Sequence, residues 1–308
     1  MSSPIDLISI IIVNFNTFRD TLQCLESLQK IDAEDFNYNV IVVDNGSTEK
    51  LDLPLRVLTD KVEVLRTEAN IGFTGGNNLG ISHAVKEYNP DYFLLLNSDT
   101  TVEPDFLQNL YQDLKNNSQA GIASSKIYFY PGKEFHQQSY STKQQGQVLW
   151  YAGGSIDWLN LQAFHRGVDE LDRGQFDQQT ASEFATGCSL LIKREVTEKV
   201  GILDKKYFLY LEDVDYSLRV KQHGYQILFS PSSIVYHKNA GSTQGAGSQI
   251  HQYYQSRNRL FFFMKYGSWR QKITIMSLFF RWLVTGTQIQ KKAVLDYLLG
   301  RMEKQPVI

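Results

Sequence analysis

Apolar residues along this chain follow two rhythms. Unbroken runs at Ile8 to Val13 (ISIIIV), Val40 to Val43 (VIVV) and Tyr92 to Leu96 (YFLLL) suit buried strands, being rich in β-branched or large apolar residues. Between them runs a helical rhythm. Leu22, Leu25 and Leu28 fall on one helix face, and Asn78 to Tyr88 can form a second helix after the glycine-rich turn NIGFTGGNNLG. Strands alternating with helices predict βαβ units around a mostly parallel sheet flanked by helices. Each strand ends in a polar cluster (NFN, DNGS, NSD), and in open α/β sheets ligands bind beyond the carboxyl ends of strands.

This organisation predicts one α/β domain over residues 5–245. Within it, Tyr128 to Gln179 lacks sustained periodicity and reads as an insertion or long loop of the kind that shapes a substrate site. A linker, AGSTQGAGS at residues 240–248, then gives way to an aromatic, basic and helical segment, residues 249–308. There is no internal repeat and no low-complexity tract.

Composition narrows the function. The chain has 308 residues, 42% of them apolar, enough for one large core. With 31 basic and 33 acidic residues the net charge is -2, which gives no reason to expect nucleic-acid binding. Cys24 and Cys188 stand far apart, so neither a disulfide framework nor a thiolate zinc cluster is expected, and a reducing cytoplasm fits best. The N-terminus lacks the basic region of a secretory signal, and the stretch Ile273 to Val284 is short and carries Arg281, so no transmembrane helix is expected.

Five constellations carry candidate chemistry. In NSDT, Asn97, Ser98 and Asp99 end a strand with hard oxygen donors suited to Mg²⁺ or Mn²⁺, or simply form a turn. In VVDNGS, Asp44 can accept from a pyrimidine imide or a ribose hydroxyl, or cap a helix. NIGFTGGNNLG fits neither the dinucleotide fingerprint nor the Walker loop; its glycines suit close backbone approach to a ligand, with Asn77 and Asn78 placed to cap the next helix. FLYLEDVDYSLR crowds Glu212, Asp213 and Asp215 together. On a helix Asp215 pairs with Arg219 and Asp213 projects about 100° from Glu212, free for chemistry; alternatively the acids only complement the helix dipole. His237, after an apolar strand, can ligate a metal, donate to a phosphate or be an ordinary core histidine. The other five histidines sit in no comparable setting.

In order, VNFN, VVDNGS, NIGFTGGNNLG, LLLNSDT, TGCSLLIKR, YFLYLEDVDYSLR and VYHKNAGST resemble the inverting glycosyltransferases of family 2 with the GT-A fold, over residues 8–245. Within that family the chain looks most like the bacterial rhamnosyltransferases of cell-surface polysaccharide synthesis, and AVLDYLLGRMEK resembles the end of that subgroup. The resemblance implies a Rossmann-like catalytic domain with a C-terminal helical appendage, and a sugar moved from a TDP- or UDP-linked donor to a saccharide or lipid-linked acceptor. Asn97 replaces the first aspartate of the family's D-x-D motif, which leaves Asp99 as the principal acidic ligand to Mg²⁺ or Mn²⁺, with His237 reaching the metal or diphosphate. Asp213 matches the general base. The resemblance puts Asn14, Asn16, Asp44, Asn45, Gly72, Asn77, Asn97 and Ser98 on the donor side, and Trp158, Thr186, Gly187 and Glu212 on the acceptor side.

Two other classes compete. A nucleotidyltransferase or dehydrogenase lacks its phosphate-binding glycine pattern here, and a non-catalytic nucleotide-sugar module would not need the EDVD cluster and His237. For the tail there are two readings. Arg257, Arg259, Lys265, Arg270, Lys272 and Arg281 among Phe, Trp and Leu suit peripheral attachment to the inner face of the cell membrane. Alternatively the same aromatics pack on the catalytic domain or on a second subunit in a homodimer.

Overall fold

A computed structural model describes residues 5–239 and 247–304. The chain opens with β1 (Asp6–Asn14), α1 (Phe18–Leu28), β2 (Phe36–Asp44), β3 (Val62–Arg66), α2 (Gly72–Glu87), β4 (Tyr92–Asn97), β5 (Thr100–Val102), α3 (Phe106–Asn116) and β6 (Ala120–Phe129). Short strands β7 (Leu149–Tyr151), β8 (Gly154–Asp157), β9 (Gln162–His165) and β10 (Thr180–Ala181) follow, then β11 (Ser189–Lys193), α4 (Arg194–Val200), α5 (Glu212–Gln222) and β12 (Gln226–His237). Three helices finish it: α6 (Gln249–Tyr266), α7 (Trp269–Thr285) and α8 (Gln288–Leu298).

The main sheet runs β10-β12-β6-β11-β4-β1-β2-β3. Strands β3, β2, β1 and β4 are parallel, whereas β11 lies antiparallel between β4 and β6. Alternation along β1 sends Ile8, Ile10 and Ile12 into the core on one face and Ile11 into the core on the other, so helices must cover both. Helices α1 and α3 cover the first face, α2 and α4 the second.

The glycine-rich stretch differs from expectation. It is the first half of α2 rather than a turn, because the helix axis runs so close to β1 that only glycine fits. A Cβ on Gly80 would lie 2.5 Å from Ile11 Cγ2, and one on Gly76 would lie 2.8 Å from Val13 Cγ1. Both neighbours branch at Cβ and cannot swing aside. Asn77 and Asn78 therefore sit inside the helix and do not cap it. Asn77 Nδ2 donates to the Phe73 carbonyl (2.9 Å), while Asn78 exchanges two hydrogen bonds with the Leu203 backbone at 2.8 and 3.1 Å.

The C-terminal helices expected after residue 249 are present, and α6 is driven into the body: Leu260, Phe262 and Phe263 join the main core. Three of the cations that suited a membrane surface are engaged by the protein itself, through backbone carbonyls and carboxylates. Arg257 is fully buried. Arg259 donates to the carbonyls of Leu161 and Asn160, both at 2.6 Å, and Lys265 reaches Asp215 at 2.7 Å. Most of the linker expected at 240–248 lies outside the described residues.

Candidate active site

Sheet register assembles the site. Parallel pairing places Asn14 beside Asp44 and Val13 beside Asn97, so β1, β2 and β4 end at one rim. Strand β5 folds back from the NSDT turn and pairs His237 with Thr100, which carries the last residue of β12 to that turn. His237 Nε2 consequently stands 3.1 Å from Asp99 Oδ1 and 3.4 Å from Asn97 Nδ2. Antiparallel β11 brings residues 186–188 alongside, where the Cys188 carbonyl accepts from the Asn97 N–H at 3.0 Å. Helix α5 then enters with its acids.

Together these elements line a cavity of about 430 Å³, a size suited to a small organic ligand. Eight of the residues singled out in the sequence meet in its wall: Asn97, Ser98, Asp99, Thr186, Gly187, Glu212, Asp213 and His237.

The acids of α5 have different environments. Asp215 is wholly buried and held by Arg219, Lys265, Tyr207 and Tyr266, so it is structural. Asp213 accepts from the backbone N–H groups of Gly187 (3.0 Å) and Val214 (2.8 Å). Burial nevertheless pushes its carboxyl above the ordinary range, with those N–H groups opposing. Glu212 is pushed further up by burial and by the charges of Asp213 and Asp215, and its Oε2 has no hydrogen-bond partner among the described residues. Two neighbouring carboxyls in such different environments can take separate roles, as interacting carboxyls commonly do.

Elsewhere in the wall, burial alone would lower the His237 imidazole, but the Asp99 carboxylate and the neighbouring Cys188 outweigh it and hold it well above its usual value. Among the described residues no group of three His, Cys, Asp or Glu side chains could hold a metal ion. Asp99 and His237 alone fit a divalent cation that takes its remaining ligands from phosphate oxygens and water, the habit of magnesium in particular.

Seven residues singled out in the sequence lie outside this wall. Asn14 is buried, donating to Asp44 Oδ1 and accepting from Thr17 and Thr21. Asp44 is fully buried beneath the rim. It accepts from the Leu51 N–H and ion-pairs with Arg66, and although burial pushes its pKa up, hydrogen bonds from Ser47, Leu51 and Asn14 and the Arg66 charge hold it below the usual range. Asn45 ties its amide to Asn70 and to the backbone of Ile71 and Gly72. Asn16 is exposed at the rim, its Oδ1 accepting from the Thr48 N–H at 2.8 Å. Gly72, at φ +82°, admits not a ligand but the Phe208 carbonyl, which a Cβ would meet at 2.5 Å. Asn77 faces its own helix. Trp158 stacks on Phe262 at 6.1 Å and packs edge-on against Phe263 at 5.6 Å, so the indole belongs to the α6 interface.

Other residues enter the wall that the sequence did not single out. Trp150 sets its ring edge-on to His237 at 4.4 Å, and His165 packs on Trp150 at the same distance. Burial lowers His165 to about 4, so its imidazole is neutral at pH 7. Both come from the insertion: Trp150 lies on β7, which pairs with β6 of the main sheet, and His165 on β9, which pairs with β8 in a two-stranded sheet. From α6 come His251 and Gln255. Trp150 and His165 stand in a run without a recognisable period.

Known proteins are similar to this chain in sequence and in fold. A hexosyltransferase of low-salt glycan biosynthesis, Agl10 of Haloferax volcanii, is 24% identical over 94% of this chain and 87% of its own length. Rhamnosyltransferase WbbL of Escherichia coli K12 is 23% identical over 68% of this chain and 76% of its own. The N-acetylglucosaminyl-diphospho-decaprenol L-rhamnosyltransferase of Mycobacterium tuberculosis is 26% identical over 67% and 68%. Among solved structures, GalNAc-T7 with UDP, GalNAc and Mn²⁺ superposes with a TM-score of 0.65 at 18% identity, over 96% of this chain and 55% of that one. The mannosyltransferase PcManGT of Pyrobaculum calidifontis, with GDP-Man and Mn²⁺, gives 0.54 at 12% identity, over 95% and 74%. These likenesses carry the fold, an α/β architecture of the GT-A type. Residues 9–201 match the profile of Glycosyl transferase family 2, and with β4, β5 and β12 converging on one cavity as described, the chain belongs to that family.

Proposed function

We propose that the chain transfers a hexose or deoxyhexose, rhamnose foremost, from a UDP- or TDP-linked donor to a hydroxyl of a saccharide or lipid-linked saccharide, with inversion. What carries this reading is the sharing of one cavity by Asp213, with no cation among its hydrogen-bond partners in the described residues, and the Asp99–His237 pair. Asp213 removes the proton of the attacking hydroxyl, and the displacement is direct, so the anomeric centre inverts. Asp99 and His237 hold Mg²⁺ or Mn²⁺, which when bound neutralises charge on the departing diphosphate. The nucleoside lies along the rim by Asn16, with Asn14, Asp44 and Asn45 supporting that rim from below. The rhamnosyl relatives and the UDP and GDP-Man neighbours support the donor class.

A thermal-shift screen tests it. A matching donor at about 100 times its dissociation constant adds roughly 2.7 kcal/mol of stability, and Mn²⁺ should be required for much of that gain. Stabilisation by NAD with none by UDP or TDP sugars would instead favour the dehydrogenase class.

We further propose that the chain works at the inner membrane face, where a lipid-linked acceptor is presented. No helix among the described residues is long and apolar enough to cross a membrane. Helix α7 nevertheless exposes Trp269, Ile273, Met276, Phe280 and Val284, spaced three or four apart on one side, with Trp269 67% and Val284 75% exposed. Arg270, Lys272 and Arg281 accompany that stripe. Residues 269–285 carry those three basic residues and no acidic one, a polarity that suits anionic lipid. Flotation with vesicles containing anionic lipid is expected at low salt, and to be lost in Trp269→Glu/Phe280→Glu. A concentration-dependent dimer without flotation would assign the stripe to a second subunit.

A further inference from the structure

We propose that Arg257 and Asn258 are positioning residues that aim Asp213, by holding residues 205–211 in a backbone shape the segment would not keep alone. The inference rests on the reading of Asp213 as the base. Phe208 adopts φ 61°, ψ −54°, and the Leu209 N–H donates to the Tyr207 carbonyl at 2.7 Å. That is a γ-turn of the rare, strained hand, centred on a bulky residue. Tyr210 (φ 70°) and Leu211 (φ 67°) are left-handed as well, and α5 starts directly from Leu211. Three such residues within four positions persist only where the surroundings over-determine them.

The surroundings here are mostly α6. Asn258 Nδ2 donates to the carbonyls of Tyr207, Leu209 and Tyr210 at 2.9, 2.7 and 2.8 Å. Arg257 Nη2 donates to the same Tyr207 carbonyl at 2.9 Å and to that of Lys206 at 3.3 Å. Arg257 also donates from Nε and Nη2 to Asn258 Oδ1 at 3.0 and 2.9 Å, which fixes the amide with its NH₂ toward the turn. Both side chains are fully buried, and Arg257 is anchored in turn by the Glu303 carbonyl at 3.1 Å. Phe208 stacks on Tyr254 with ring centroids 5.1 Å apart. From the other side, Gly72 makes room for the Phe208 carbonyl, which accepts from the Thr74 N–H at 3.3 Å. Farther along, Lys265 and Tyr266 hold Asp215 at 2.7 and 2.8 Å. One helix thus grips the segment before Asp213 and the residue two places after it.

Asn258→Asp tests the hydrogen bonding apart from the shape, since it keeps the volume and turns a carboxylate oxygen toward three carbonyls. In the full-length chain, kcat is expected to fall by about 10²-fold, the cost of a misplaced reacting group. Donor affinity measured with UDP or TDP and Mn²⁺ should stay unchanged, and hydrogen exchange should quicken across residues 205–214 alone. Asn258→Ala should fall between this variant and wild type, and serves with the same readouts if the aspartate variant does not fold. Wild-type kcat in both variants would overturn the proposal. So would exchange rising throughout the sheet with donor binding lost, because that describes a general packing role. If Asp213→Asn proves harmless the base reading fails, while exchange at 205–214 still reports on the clamp.

Discussion

Asp213→Asn should lower turnover by about 10²- to 10⁴-fold, the usual worth of a general base, while donor binding stays near wild type. The amide keeps the shape of the side chain but cannot take a proton from the acceptor hydroxyl. The pH profile sharpens this expectation. A base works only when ionised, and burial raises the pKa of Asp213, so wild-type turnover should fall with decreasing pH through a midpoint above the ordinary aspartate range. That acid limb should vanish in the variant. Near-normal turnover by correctly folded Asp213→Asn would remove the residue from the mechanism, and Glu212→Gln measured alongside would show whether its neighbour is the base.

Asp99→Ala should weaken Mn²⁺-dependent binding of UDP or TDP by well over about 10-fold, and Asn97→Ala should weaken it much less. A carboxylate offers a hard cation a formal charge, whereas an amide offers a dipole. The geometry adds a second reason: Asp99 also holds His237 at 3.1 Å, so its loss frees the imidazole that completes the pair. Titration calorimetry with and without Mn²⁺ measures both variants. Equal, small effects would mean that the NSDT segment is a turn and nothing more.

Some of this was readable in the chain and some was not, for physical reasons. Strands β1, β2 and β4 were legible because an unbroken apolar run between polar clusters has few other uses. The NSDT and EDVD segments were legible because carboxylates at strand and helix ends stand out against apolar neighbours. The start of α2 was not, since Gly72, Gly75, Gly76 and Gly80 have the composition of a turn, and their closeness to β1 appears only in three dimensions. Asp44 looked free for a ligand because its partner Arg66 is 22 residues away. Trp158 and Trp150 lie in one aperiodic insertion, and only the fold decides that Trp150 meets His237 while Trp158 meets α6. The tail was ambiguous for a similar reason, as arginine among aromatics describes equally well a buried clamp and a lipid-facing stripe. Here α6 is the first and α7 has the makings of the second.

The clamp also determines which pieces of this chain can be exchanged with those of relatives. The family profile ends at residue 201, before the γ-turn, the acid-bearing helix and α6. Asn258 follows the carbonyls it holds by 48 to 51 residues, across the whole of β12. A hybrid joined between residues 222 and 249 would therefore pair one parent's turn with another parent's clamp, although each half would retain its own hydrophobic pattern. A junction near residue 201 keeps turn, acid and clamp from a single parent.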